Sequence, residues 1–149
     1  IEGDGPHLQQ WQERISALGP TVHIISGEAK TRYHAACAIA SNLVCALVQE
    51  SIELLETCGF STVDALQAIS PLMKSNLDHL LTNGPVTALT GPVERCDTET
   101  VKKHLECFTL AEEREMYRVV SKKLIEIAQR KHPQRSYTQM ENLLMKEFE

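Results

Sequence analysis

Hydrophobic positions along this chain recur mostly at helical spacing. Leu8, Trp11, Ile15 and Leu18 fall three and four apart, which predicts a first short helix over 6–18. Asp4 suits its N-cap and Pro6 its first turn, and Gly19-Pro20 stops it. Thr21-Val22-His23-Ile24-Ile25-Ser26 is β-branched and apolar and predicts a short strand. Ile1-Glu2 reads as the tail of another strand, making 1–26 a strand–helix–strand segment, the end of an α/β unit. From 28 to 58 there is neither Gly nor Pro, and Gly59 closes the run, so one long helix is predicted. Its centre is rich in small side chains (Ala35, Ala36, Cys37, Ala38, Ala40, Ser41, Cys45, Ala46). A helix apolar all round is a covered one.

Ser61 caps the next helix, with Val63, Leu66 and Ile69 on one face. Pro71 is expected to kink or restart it, and Leu72, Met73, Leu77, Leu80 and Leu81 continue a buried face to about residue 82. Residues 83–92 contain two Gly-Pro steps and predict a structured loop. Asp97 or Thr98 caps a helix through Phe108, with Val101 and Leu105 inward. A helix over 110–130 carries the stripe Met116, Val120, Leu124 and Ile127 and ends at His132-Pro133, and a last amphipathic helix runs over 138–148. The expectation is a mainly α chain of five or six helices, divided into 1–26 and a helical domain over 27–149.

The 149 residues are 42% hydrophobic and 23% charged, which fits one globular domain and excludes wholesale disorder. The net charge of −5 argues against a general nucleic-acid binder, which needs a basic stripe. The charge is uneven. Residues 33–93 hold six charged side chains, whereas 94–149 hold eleven of each sign. The charge-poor stretch implies cover on more than one side, from a second subunit or a further domain, as depleted charge marks interface cores. The plainer alternative is the core of a compact helical domain. Five cysteines without a CxxC pair suggest no disulfide framework and a reducing, cytoplasmic setting. The opening Ile1-Glu2-Gly3-Asp4-Gly5 lacks a signal-peptide pattern, and beginning at Ile it reads as a piece of something longer. The longest uncharged run, 33–49, contains His34, Ser41 and Asn42. It is short and polar for a membrane span, and a buried helix is expected.

Lys30 and His34 are four apart and share a helix face. Lys30 can donate to an oxygen that becomes anionic, and His34 can move a proton near pH 7. Asn42, eight beyond His34, could orient a carbonyl or carboxylate. The competing reading makes Lys30 a solvated first-turn residue and His34 a packing histidine. His104 falls inward beside Val101 and Leu105 and reads as a satisfied core histidine. His34 and Cys37 have no second pair at ligand spacing, so no metal site is expected. No GxGxxG, Walker, GxSxG or HExxH pattern occurs. In the 84–92 segment the glycines either permit tight turns or help Thr90 line a cleft.

The order Lys30-x-x-Tyr33-His34-Ala35-Ala36, Ala40-Ser41-Asn42, Asn76, Gly84-Pro85, Ala88-Leu89-Thr90-Gly91-Pro92, Asp97, Thr100-Val101 and His104-Leu105 is not generic. Over about 1–124 it resembles the C-terminal helical domain of unknown function in a bacterial family of Rossmann-like oxidoreductases. That family is similar to ketopantoate and pyrroline-5-carboxylate reductases, with a 6-phosphogluconate-dehydrogenase-like C-terminal domain. The resemblance implies that 1–26 is a remnant of the preceding Rossmann domain. It also implies a homodimer formed through the helical domain, and an active site facing NAD or NADP in the intact enzyme. A small-molecule substrate would lie near Lys30, His34 and Asn42 as catalytic residues, with Tyr33, Ser41, Asn76, Thr90 and Gly91 lining the cleft. Hydride transfer to a C=O or C=N carbon is the implied reaction. The cofactor would not bind this chain alone, which lacks the glycine-rich fingerprint. A non-catalytic dimeric or sensing domain is the alternative. One departure is Arg95-Cys96-Asp97, where the family usually has Arg-Gly-Asp; Cys96 puts a tight turn there in question.

Overall fold

The computed structural model describes residues 1–3 and 5–146. The proposed Asp4 cap and the end of the helix expected over 138–148 lie outside the described residues. Two compact units, Ile1–Cys58 and Gly59–Glu149, account for the chain.

In the first unit, α1 (Leu8–Ser16) starts after His7 without a side-chain cap. Its Gln12 Nε2 donates to Val22 O at 3.0 Å and ties the helix to the extended segment that follows. That segment is not a strand. Among the described residues there is no β-strand, only an isolated parallel bridge between Glu2 and Ile25, with Ile25 N donating to Ile1 O at 3.0 Å. β-branched residues favour extended backbone, but a ladder needs a partner several residues long, and only the first few residues run alongside. The expected strand–helix–strand remnant of a Rossmann domain is therefore absent. The fold lends nothing to a Rossmann-like or oxidoreductase label.

α2 (Gly27–Ala40) is capped by Ser26, which accepts from Ala29 N at 3.3 Å. The single long helix expected here is interrupted at Ser41 (φ −126°, ψ −69°), and α3 (Asn42–Thr57) follows. Ser41 Oγ donates to Cys37 O at 2.7 Å, the back-bond to residue i−4 that bends helices. Across both helices Ile52 alone is buried.

In the second unit, α4 (Thr62–Ala88) is capped by Ser61, which accepts from Asp64 N at 3.2 Å. Helical dihedrals continue through Pro71, against expectation; the carbonyl of Gln67 that loses its donor belongs to an exposed residue. The break comes at Gly84 (φ 76°, ψ 166°), after which Pro85 restarts the helix, so much of the expected loop is helical. Such dihedrals are essentially confined to glycine. Gly91 (φ 102°) opens a single turn, α5 (Pro92–Arg95), and Cys96 closes it in the left-handed region (φ 60°, ψ 35°). The tight turn is made even with a cysteine there.

Asp97 caps α6 (Thr98–Cys107), accepting from Thr100 N at 3.1 Å and Thr100 Oγ1 at 2.7 Å. Glu113 turns back to accept from Thr109 N and Leu110 N at the start of α7 (Ala111–Lys131). Arg114 donates to Leu105 O and Phe108 O and satisfies the carbonyl end of α6. Arg118 Nε does the same for Leu144 O (2.6 Å) in α8 (Thr138–Met145). The core gathers Val93, Val101, Leu105, Ile125, Ala128, Tyr137, Met140 and Leu144. The buried face expected along α4 is open instead: Leu72 is 71% and Leu81 76% exposed.

Candidate functional site

The predicted residues divide between the units. In the first, the extended segment and the start of α2 enclose a recess of about 600 Å³, lined by Ile1, Glu2, Thr21, Val22, His23, Ile25, Lys30 and Tyr33. The Ser26 cap fixes where α2 begins and so sets Lys30 and Tyr33 at the recess. Lys30 Nζ lies 2.6 Å from Glu2 Oε2. Both side chains are partly exposed, so solvent screening leaves this pair weak, at roughly 0–1 kcal/mol. One carboxylate does not use all three ammonium donors, so Lys30 can also hold an anionic oxygen at the mouth of the recess.

His34 is exposed on α2 and does not line the recess. Ser41 Oγ, committed to Cys37 O, also lies 3.2 Å from Asn42 Oδ1. The interruption at Ser41 ends the continuous register on which Asn42 was placed near the face of Lys30 and His34.

In the second unit, the break at Gly84 turns the end of α4 so that both of its arms and α7 bound a groove of about 540 Å³. Asn76 and Thr90 are its polar members. Leu72, Met73, Leu80, Pro85, Ala88, Leu89, Leu124 and Ile127 supply the apolar wall. Gly91 is not in that lining; its positive φ serves the turn into α5.

One polar cluster escaped the sequence reading. Glu94 is buried, and His132 Nε2 bonds its Oε1. Its carbonyl accepts from Arg135 Nη1 at 2.8 Å and from Tyr137 OH at 2.6 Å. Lys131 Nζ donates to Thr87 O and Leu89 O, holding the end of α4 beside Thr90. The signal available was Glu94 itself, the first Asp, Glu, Lys or Arg after Asp78. His104 Nδ1 meets Tyr117 OH at 2.8 Å, as a satisfied histidine should. Burial pushes the Tyr117 phenol up, partly offset by a hydrogen bond with Ser121.

Among the described residues no group of three or more His, Cys, Asp or Glu could hold a metal. Nor do they include a strand leading through a turn into a helix.

These features define two helical units, the first with a recess that holds Lys30 and the second with an apolar groove. A family model described as a domain of unknown function, DUF2520, matches residues 1–124, and the chain belongs to that family. No curated protein and no solved structure matches the chain.

Proposed function

We propose that the chain is a helical self-pairing and substrate-side domain. The observation that carries this reading is the bare apolar surface of α2 and α3, where Ile39 is 62% and Leu43 55% exposed. The area supports it. The chain exposes 10933 Å², against roughly 7,600 Å² for a compact monomer of this mass. Counting each unit as its own compact body raises the expectation only to about 9,100 Å². The excess, well over 1,000 Å², exceeds the roughly 800 Å² per partner of a standard interface. The 27–57 stretch is also long and apolar enough to cross a membrane by length and composition. Its uncharged run of 17 residues covers only about 26 Å as a helix, short of a hydrocarbon core of about 30 Å. A second copy suits it better than lipid.

On the substrate side, Lys30 at the recess would hold an oxygen that gains negative charge; His34 as proton donor and Asn42 as the orienting residue rest on the resemblance alone. The resemblance extends this to hydride transfer from NAD or NADP to a C=O or C=N carbon in a larger enzyme. The cofactor would be held by residues other than those described. Sedimentation velocity across protein concentration tests the pairing: a dimer is expected, and a monomer at every concentration rejects it. The Lys30 role is tested in the intact protein by nicotinamide oxidation over a panel of carbonyl and imine compounds. Removing one preorganised donor costs on the order of a hundredfold in turnover, so Lys30→Met at a near-unchanged rate rejects that assignment.

A further inference from the structure

The geometry points to a definite seat for the second copy: the groove of the second unit, filled by α2–α3 of the partner. This rests on the self-pairing reading above and adds which surface meets which. The groove wall is uncharged, and its polar members are two neutral side chains, Asn76 and Thr90. Leu72 stands at it 71% exposed, and Leu77 and Leu81 extend the open face along α4. The surface that fits such a groove must itself lack charge, and residues 33–49, which span the break at Ser41, hold none. Small side chains at Ala35, Ala36, Ala40 and Ala46 let its backbone approach closely, while Leu43, Val44 and Leu47 are exposed and free to insert.

A two-fold arrangement repeats the contact, each copy giving one α2–α3 surface and one groove. Two such seats reach the roughly 1,600 Å² of a standard interface and draw on the excess area of both units. Helix-in-groove docking uses apolar anchors spaced three and four apart, as Val44 and Leu43 are from Leu47.

The test places a photoreactive benzoylphenylalanine at Leu72 in the full chain and mixes 15N-labelled with unlabelled copies. Because Leu72 is exposed, the fold should survive, which circular dichroism checks. The expected result is an adduct of twice the chain mass, joining labelled to unlabelled copies, with its cross-linked peptide inside 33–57. Leu43→Glu should weaken dimerisation by at least a hundredfold and remove the adduct. A dimer whose adduct maps to α4, or that tolerates Leu43→Glu, overturns the seat and leaves self-pairing standing. An adduct within one chain also overturns the seat. A monomer at all concentrations, or a monomer that partitions onto phosphatidylcholine vesicles, overturns both readings.

Discussion

Cys96 sits in left-handed backbone at φ 60°, where a side chain costs about 1–2 kcal/mol that glycine does not. Its thiol also packs against the core and approaches Ser136 O at 3.7 Å. Comparing Cys96→Gly with Cys96→Ala separates the two effects, since both lose the thiol and only alanine keeps the strain. The glycine variant should be more stable than the alanine variant by about 1 kcal/mol in urea unfolding. Glu94 poses the opposite problem. Its buried carboxylate depends on His132, with Arg135 Nη1 further off at 3.8 Å. His132→Ala should cost about 1–3 kcal/mol, because an acceptor is left short of its partner, and the same unfolding measurement reads it. Asp97 adds a pH dependence. The Thr100 hydroxyl and amide hold its carboxyl below the ordinary range. A carboxylate depressed on folding stabilises at pH values above its unfolded pKa, and the benefit fades as pH falls through the folded one. Asp97→Ala should therefore be less stable than the parent at pH 7, and the difference should shrink in strong acid.

Helix breaks are set by single residues, and the sequence exposes some of them better than others. Ser26, Ser61 and Asp97 sit where capping chemistry predicts, and each accepts an N–H two or three positions into its helix. The break at Ser41 was not legible because serine bends a helix only when its hydroxyl turns back to the preceding turn. Ser41→Ala removes that bond and should raise helicity by circular dichroism, with a gain of about 0.5 kcal/mol from propensity. Pro71 looked like a break and is not one: it loses a single backbone bond on an exposed stretch of α4. Gly84 is the true bend, and Gly84→Ala should cost about 1–3 kcal/mol in dihedral strain. The strand over 21–26 failed for a different reason. Its residues favour extended backbone, yet pairing is supplied from elsewhere in the chain and here amounts to one bridge. Among the candidate site residues, Lys30 with Tyr33 and Asn76 with Thr90 each share a concavity. His34, Ser41, Asn42 and Gly91 line neither. Helical spacing says which residues share a face, but not whether that face meets a hollow.

Across the chain, the charge-poor stretch 33–93 coincides with the open leucines of α4 and the exposed residues of α2–α3. Composition marked the surface that the self-pairing proposal covers and left its partner unspecified. Another feature reaches beyond recognition. The family match ends at residue 124, yet Ile125, Ala128, Tyr137, Met140 and Leu144 make up five of the eight side chains in the core cluster. His132 and Arg135, the partners of Glu94, follow that limit as well. Similarity and packing thus draw different borders. An expression clone stopped at 124 would leave Val93, Val101 and Leu105 without their lid and Glu94 without its counter-charge, and its product should precipitate or bind hydrophobic dyes. Extending the clone through Met145 should restore cooperative melting.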